Sequence, residues 1–234
     1  MLIGVSRIRA NAPKILAIFP CNIMSRNVSS QIESGFGAGG DAGSLYDRVG
    51  RRKYLNAAER ANVLRVMRTL RPDHALFALT LAWTGARVSE ILALTPASFQ
   101  VDQQLVTIQT LKRRRHSVRE VPIPAGLMNA INASYRLRAL QQDSAMATRR
   151  LWPWHRVTAW RIIKAVMAAA HVVGCQSSPR GLRHGFGVGA LRAKVPLNLV
   201  QRWLGHARMT TTAIYANASG PEELEFAARF WKST

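Results

Sequence analysis

The side chains that this sequence offers for chemistry are cations rather than metal ligands. Its 234 residues hold 33 Lys and Arg against 12 Asp and Glu, and its two cysteines, Cys21 and Cys175, lie outside any zinc-binding spacing. The spacings of a phosphate-binding P-loop and of an EF-hand are also absent. The sequence therefore favours a reaction carried by side chains alone, and cleavage of a phosphodiester without metal is the natural candidate. Planar guanidinium groups would clamp the non-bridging oxygens, and a nucleophile and a proton donor would complete the site.

The distribution of charge indicates a polyanionic partner for the larger, carboxyl-terminal part of the chain. Residues 1–50 carry five basic and three acidic side chains, whereas residues 51–234 carry 28 basic and nine acidic ones. Three acidic residues lie between Glu90 and Glu222: Asp102, Glu120 and Asp143. Because few acidic side chains compensate it, this positive charge would attract a nucleic-acid phosphate backbone, and binding would release the counterions of the phosphates. Double-stranded DNA is therefore the expected partner.

A membrane is the less favoured partner. No apolar run approaches the roughly 18 residues that a spanning helix needs. No single helical segment combines a strongly amphipathic basic face with an aromatic edge, which a membrane-surface helix would need. The low cysteine content is typical of a reducing compartment, and we expect a cytoplasmic, nucleoid-associated protein.

Four separated segments carry the most specific motifs. Residues 84–94 read TGARVSEILAL and include Arg87. Lys112 follows residues 108–111, IQTL, and precedes residues 119–124, REVPIP. The third and fourth segments are residues 178–186, SPRGLRHGF, and residues 204–215, LGHARMTTTAIY. In this order and spacing the segments resemble the tyrosine site-specific recombinases, the phage-type integrase family, over about residues 51–234.

The resemblance implies a role for five residues and requires no cofactor and no metal. Tyr215 would attack the scissile phosphate and form a 3′-phosphotyrosyl link, which conserves the bond energy so that strands rejoin without ATP. Arg87 and Arg183 would clamp the non-bridging oxygens. Lys112 would protonate the departing 5′-oxygen, and His206 would form a hydrogen bond with the phosphate.

The sequence departs from the family pattern three residues before the second arginine, where Arg180 replaces the common His or Lys. A guanidinium group cannot act as a base near neutral pH, because its pKa exceeds about 12. Arg180 would still stabilise the phosphorane and lower the pKa of Tyr215 electrostatically. We interpret the nearby His184 as support for its helix, because it and Arg183 are adjacent and point to different helix faces.

Other charged residues beside these motifs have simpler interpretations. The run Arg113, Arg114 and Arg115 is expected to contact the DNA backbone, as charge runs usually do. A register shift of one residue would put a neighbouring arginine in the place of Lys112. Glu90 lies about one helical turn after Arg87, and we expect it to orient a partner or compensate charge rather than to react.

Hydrophobic periodicity predicts a mainly α domain with a small antiparallel β-sheet, an α+β fold like that of the tyrosine recombinase catalytic domain. Helices are predicted at residues 56–70, 73–83, 88–94, 125–140, 157–172, 182–194, 196–204, 210–216 and 221–231. Asp73 is the predicted N-cap of the second helix. Strands are predicted at 104–110 and 118–123, joined by a basic turn at 112–116.

The predicted organisation is a short N-terminal segment, residues 1–50, followed by a DNA breaking-rejoining domain, residues 51–234. Residues 35–43 are glycine-rich and typical of a flexible linker. They match GxGxxG, but a polar segment precedes them where a dinucleotide-binding loop would follow a strand. Residues 1–50 are too short for the core-binding domain that family members usually have. Either the chain is naturally truncated or an accessory DNA-binding protein supplies the other arm of the clamp.

Three functions remain open at this point. The first is a site-specific recombinase or integrase that works as a homotetramer on two duplexes, with the apolar face of residues 221–231 packed into a neighbouring protomer. The second is a DNA-binding regulator on the same scaffold with weak or no catalysis. The third is a type IB topoisomerase, which shares the chemistry but lacks sequence-directed synapsis.

Overall fold

The computed structural model describes residues 44–110 and 117–217, together with the single positions 224, 227, 228 and 231. Within residues 44–110 and 117–217 the chain forms ten α-helices and one three-stranded antiparallel sheet. The predicted fold class, mainly α with a small antiparallel sheet, is confirmed. The Gly-rich linker at 35–43, most of segment 1–50 and the basic turn at 112–116 lie outside the described residues.

The elements alternate between helical groups and a single β interlude. The first helices are α1 (Ala57–Thr69), α2 (Pro72–Thr84) and α3 (Val88–Leu92), and the strands are β1 (Phe99–Gln100), β2 (Leu105–Thr110) and β3 (Ser117–Pro122). The later helices are α4 (Ala125–Tyr135), α5 (Leu137–Gln142), α6 (Ser144–Ala147), α7 (Arg156–Ala169), α8 (Pro179–Arg192), α9 (Leu197–Leu204) and α10 (Thr210–Ala213). Short 3-10 helices occupy Pro96–Ser98 and Ile214–Asn217.

Local sequence explains where the first two helices begin. Asn56 accepts a hydrogen bond from the Glu59 backbone at 2.8 Å, and the Glu59 carboxylate accepts one from the Asn56 backbone at 2.9 Å, which forms a capping box for α1. The prediction of Asp73 as the N-cap of α2 was wrong, because Arg71 takes that position and Pro72 is the first helical residue. Proline favours that position because its missing N–H would have no partner there.

Helix α2 is the centre of the main core. Nine of its 13 residues are buried, so it is apolar on every side and other elements surround it. It packs against α1, α3, α4, α7 and α8. A second, smaller cluster of buried side chains joins α8, α9 and the 3-10 helix that ends the described chain: Leu45, Tyr54, Phe186, Val188, Val200, Leu204 and Tyr215.

The sheet order is β1-β2-β3, and β2 pairs with β3 in a register that sets Val106 opposite Val121 and Ile108 opposite Arg119. Alternation places Arg119 on the same, buried face of β3 as Val121, while Val118 is 57% exposed. A charged side chain therefore enters the protein from an otherwise apolar strand face.

Several predicted elements differ in detail from the structure, and the helix predicted at 210–216 is α10 followed by a 3-10 helix. The single helix predicted at 125–140 is interrupted at Arg136, whose φ of +52° lies in the left-handed region and separates α4 from α5. In α1 the apolar series Ala57, Ala61, Leu64 and Met67 has three- and four-residue steps, but only Leu64 and Met67, in the second half, are buried, whereas Ala57 and Ala61 are exposed. None of the helices among the described residues is long and apolar enough to cross a membrane.

We predict that Gly85→Ala destabilises the protein by about 2–4 kcal/mol, because two costs add. Gly85 ends α2 with a φ of +60°, and a Cβ there would lie 2.4 Å from Phe186 Cδ1. Gly50 is a matched control, since its φ is +79° but no atom lies within 4 Å of the position that a Cβ would occupy. Gly50→Ala should lower the free energy of unfolding by only about 1–2 kcal/mol, the cost of a left-handed backbone conformation for a residue with a side chain. Urea unfolding of both variants measures the difference, and equal losses would contradict the proposed clash.

Candidate active site

Arg87 occupies the junction between α2 and α3, and Glu90 holds it there. The Glu90 carboxylate accepts a hydrogen bond from the Arg87 backbone at 2.9 Å and another from Arg87 Nη1 at 2.8 Å. The Arg87 side chain remains 30% exposed, whereas that of Glu90 is 1% exposed. Glu90 thus orients the guanidinium group and compensates its charge, as expected from its position one turn later.

Glu90 serves a second arginine at the same time. Arg119 Nη2 donates to Glu90 Oε2 at 2.6 Å, and the side chains of both residues are almost completely buried. Arg119 also donates to the Thr110 hydroxyl at 3.0 Å and to the Trp203 carbonyl at 2.8 Å. Burial alone would raise the pKa of Glu90, but the neighbouring Arg119 and Arg87 outweigh it and lower that pKa below its usual value. The carboxylate therefore stays ionised between two cations.

Arg183, on α8, is positioned by carbonyl groups instead of a carboxylate. Its Nη1 donates to the Gly85 carbonyl at 2.7 Å and its Nη2 to the Leu204 carbonyl at 2.8 Å. Burial and the adjacent charge of Arg87 lower the pKa of Arg183 to about 10, so the group remains a cation at neutral pH. Carbonyl groups at the C-terminal ends of α2 and α9 thus fix this guanidinium group in one orientation.

Tyr215 lies on the 3-10 helix Ile214–Asn217 and is only 2% exposed. Its ring packs closely over Gly187 of α8, where a Cβ would lie 2.7 Å from Tyr215 Cζ. Burial raises the pKa of Tyr215, while the charges of Arg183, Arg180 and Arg87 act in the opposite direction. The phenol is therefore protonated at rest and surrounded by cations that favour the phenolate.

His184 contacts the Tyr215 hydroxyl directly, which corrects its interpretation as mere helix support. The distance from His184 Nδ1 to Tyr215 Oη is 3.2 Å, and Arg180 Nε donates to His184 Nε2 at 3.2 Å. Although His184 follows Arg183 in the chain, both side chains are buried in the site. Burial and the charge of Arg180 lower the pKa of His184 to about 4.

His206 lies beside the same tyrosine ring. Its Nδ1 is 2.9 Å from the Thr212 hydroxyl, and its ring is nearly parallel to that of Tyr215, with centroids 6.1 Å apart. Burial and the positive charges of Arg183 and Arg87 lower the pKa of His206 to about 3. The imidazole is therefore neutral at physiological pH and can donate or accept one hydrogen bond per nitrogen.

The structure thus brings together five of the predicted site residues: Arg87, Arg180, Arg183, His206 and Tyr215. Lys112 and the run Arg113, Arg114 and Arg115 lie outside the described residues. Sequence reasoning missed the roles of Arg119 and His184. Strand alternation with Val121 was the signal for Arg119, and the four-residue step from Arg180 was the signal for His184. The described residues contain no group of three or more His, Cys, Asp and Glu placed to bind a metal ion.

The family model described as the phage integrase family matches residues 53–221, which is more than half of the chain. The chain belongs to the phage integrase family. This membership confirms the resemblance drawn from the four sequence segments.

Named relatives of this integrase-family chain include tyrosine recombinases. Tyrosine recombinase XerA of Thermococcus kodakarensis is 26% identical over 167 residues, which cover 71% of this chain and 58% of the relative. Tyrosine recombinase XerD of Shewanella oneidensis is 32% identical over 150 residues, 63% of this chain and 49% of the relative. The chain therefore spans about half the length of the curated relatives it matches.

Solved structures of integrase-family proteins share the fold. A crystal structure of XerA recombinase covers 76% of this chain with a TM-score of 0.63 and 21% identity, and the match spans 64% of that structure. The catalytic domain of bacteriophage HP1 integrase covers 76% of this chain, with a TM-score of 0.53 and 23% identity, and 94% of that domain is matched. The likeness to HP1 integrase thus extends over nearly all of a catalytic domain.

We predict that Glu90→Gln lowers the free energy of unfolding by about 3–5 kcal/mol, because the variant leaves the buried Arg119 without a counter-charge. Asp102→Asn is the matched control, since Asp102 pairs with Arg138 where both side chains are more than 60% exposed. That exposed pair should contribute less than about 1 kcal/mol. Urea denaturation compares the two variants. Similar small losses would show that Glu90 does not anchor the arginines.

We also predict that acidification destabilises the protein through the two imidazoles of the site, those of His184 and His206. Both histidines titrate near pH 6.5 when unfolded, but their folded pKa values are about 4 for His184 and about 3 for His206. The unfolded chain therefore binds more protons, and the free energy of unfolding falls as the pH drops below about 6.5. Each histidine contributes a slope of up to about 1.4 kcal/mol per pH unit. Urea unfolding between about pH 7 and pH 5 measures this slope, and the double variant His184→Asn, His206→Asn should flatten it. An unchanged slope in that variant would refute the assignment.

Proposed function

We propose that this protein is a site-specific DNA recombinase or integrase that cleaves and rejoins strands through a 3′-phosphotyrosyl intermediate, without metal or ATP. One observation carries the proposal: the Tyr215 hydroxyl is packed among side chains whose positive charges, from Arg183, Arg180 and Arg87, act on it. Relatives named tyrosine recombinases support the same assignment. The reaction would belong to residues 51–234, with residues 1–50 as a separate N-terminal segment.

The proposed step is a transesterification at phosphorus. Tyr215 Oη forms a bond to the scissile phosphorus, and the bond from phosphorus to the 5′-oxygen breaks. Lys112 would give a proton to that oxygen, while the phenolic proton passes to water, so the overall exchange is neutral in protons. A second strand's 5′-hydroxyl then reverses the reaction and releases the tyrosine.

The arginines of the site suit this step because they are held before any ligand arrives. Arg183 is fixed by two carbonyl groups and Arg87 by the carboxylate of Glu90. Preorganised donors stabilise a developing charge without reorganising during the reaction. In the proposed transition state both guanidinium groups would face the non-bridging oxygens, and neutral His206 would donate one further hydrogen bond to the phosphate.

The proposed partner is double-stranded DNA. The protein would bind two duplexes as a homotetramer, and an accessory DNA-binding protein is a further candidate component. The chain's net charge of +21 would provide the attraction for the phosphate backbone. Structures of XerH recombinase bound to its difH substrate cover 77–80% of this chain at TM-scores of 0.61 and 0.59. This shared fold supports DNA as the partner of this chain. Arg113, Arg114 and Arg115 would contact the DNA backbone, and the proposed location is the cytoplasm, at the nucleoid.

A second candidate function is a DNA-binding regulator that retains the scaffold with weak catalysis. It is favoured by Arg180, which cannot act as a base, and by the burial that raises the pKa of Tyr215. Type IB topoisomerase-like activity is a third candidate, and relaxation of supercoiled DNA that lacks any target site would indicate it.

We predict that the 234-residue chain forms a covalent adduct with DNA that Tyr215→Phe cannot form. The probe is a library of nicked suicide duplexes with randomised arms, incubated with protein in EDTA and recovered after denaturation in SDS. Because only the phenolate can attack phosphorus, the variant should lose at least about 10³-fold of the adduct while it still binds the library. Sequencing of the recovered arms would also give the preferred site.

Two outcomes of this experiment would contradict the proposal. Equal adduct formation by Tyr215→Phe would exclude Tyr215 as the nucleophile. Binding of the library by the unaltered chain without any adduct would favour the regulator. Gly50→Ala is the control variant, because Gly50 lies at an exposed turn with no side chain nearby, and its adduct yield should equal that of the unaltered chain.

A further inference from the structure

Arg180, His184 and Tyr215 form a chain of two hydrogen bonds that the proposed mechanism has not used. Arg180 and His184 lie four residues apart on α8, on one face of the helix. Arg180 Nε is 3.2 Å from His184 Nε2, and His184 Nδ1 is 3.2 Å from Tyr215 Oη. The imidazole therefore bridges the guanidinium group and the oxygen that would attack phosphorus.

The arginine determines which nitrogen of His184 carries the proton. A guanidinium Nε–H can only donate, so His184 Nε2 must accept and cannot hold a hydrogen. A neutral imidazole has its single proton on the other nitrogen, and burial together with Arg180 lowers the pKa of His184 to about 4, which keeps the ring neutral at pH 7. The proton is therefore on Nδ1, and Nδ1–H donates to Tyr215 Oη.

This direction excludes His184 as the base that deprotonates Tyr215, since the nitrogen facing the phenol already carries a proton. The same direction suits the phenolate, because a negatively charged oxygen accepts a stronger hydrogen bond than a neutral hydroxyl does. The hydrogen of the Tyr215 hydroxyl must then point away from the imidazole.

The backbone of α8 keeps the phenol in reach of this donor. Gly187 follows His184 by three residues, and the Tyr215 ring packs so closely on it that a Cβ would lie 2.7 Å from Cζ. One helix therefore supplies both the surface under the ring and the hydrogen-bond donor to its oxygen. Tyr215 is also a member of the second hydrophobic cluster, so these contacts and its packing in that cluster confine its ring together.

We infer that His184 is a further catalytic residue, which stabilises the Tyr215 phenolate by donating a hydrogen bond from Nδ1, and that Arg180 is the positioning residue that fixes its tautomer. The inference rests on the proposed function, since it assigns the activation of the same nucleophile. It also explains how the site works with arginine at position 180, because this pair replaces a base with a fixed donor. The phenolic proton goes to water, as in the proposed transesterification.

The tautomer itself can be read without DNA and without activity. In the full chain labelled with ¹⁵N-histidine, we expect at pH 7 a protonated, pyrrole-type resonance for His184 Nδ1 and an unprotonated, pyridine-type resonance for Nε2. His184→Asn identifies the resonances by their disappearance. The reverse pattern, with the proton on Nε2, would overturn the inference whatever the enzyme does. This measurement separates failure of the inference from failure of the proposed function, which the Tyr215→Phe adduct experiment reports.

Substitutions of His184 distinguish a donor from a base. Asn presents an amide N–H near the Nδ1 position, Asp presents only acceptors, and Leu presents neither. In single-turnover adduct formation we expect His184→Asn to remain within about tenfold of the unaltered chain, and His184→Asp and His184→Leu to lose about 10²-fold or more, as when one transition-state donor is removed. Library binding and thermal unfolding show that each variant is folded. Activity of His184→Asp but not of His184→Asn would identify His184 as a base. Full activity of His184→Leu would exclude any catalytic role for His184.

The role of Arg180 is tested by coupling. Arg180→Met should slow adduct formation when His184 is present, because the imidazole is then free to place its proton on either nitrogen. In a His184→Asn background the same substitution should have a clearly smaller effect, since an amide needs no tautomer to be selected. Equal effects in both backgrounds would mean that Arg180 acts independently of His184 and would overturn its assignment as a positioning residue.

Discussion

The buried carboxylate of Glu90 is the constraint on which the candidate site depends. It holds Arg87 at the start of α3 and Arg119 inside β3, so one negative charge connects a helix junction with the sheet. Few other acids are available in a chain with a net charge of +21, and Arg183 is accordingly positioned by carbonyl groups. The result is a cluster of arginines that is held rigidly but is not neutralised. Such a cluster retains its affinity for an anion, which is what phosphoryl chemistry requires of it.

Helix α8 connects this charge arrangement to Tyr215, the proposed nucleophile. It packs against α2 in the main core and against the 3-10 helix that carries Tyr215. Arg180, Arg183 and His184 all extend from its first two turns, and Gly187 forms the surface on which the tyrosine ring lies. The cost of this arrangement is the burial of a phenol whose pKa is raised and of an imidazole whose pKa falls to about 4. Stability and proposed activity therefore depend on the same contacts, and both should respond to changes in this helix.

Sequence reasoning predicted what is local or strongly patterned. Strands β2 and β3 follow from alternation, α1 follows from the apolar spacing of its second half and its ending before Pro72, and the four motif segments named five residues that the fold does bring together. Sequence reasoning did not predict the features that depend on tertiary contacts. The break at Arg136 needs a backbone conformation that no local pattern marks, and the contact of His184 with Tyr215 joins residues 31 positions apart. Adjacency along a helix suggested that Arg183 and His184 face different surroundings, but a site that wraps around α8 reaches both.

The proposed esterification of the Tyr215 oxygen to DNA within this arginine cluster is tested most directly by mass spectrometry of the covalent adduct. After digestion of protein and DNA, we expect one modified peptide, in which the side chain of Tyr215 carries a nucleotide through its 3′-phosphate. A nucleotide attached to any other side chain, or attached to Tyr215 through a 5′-phosphate, would contradict it.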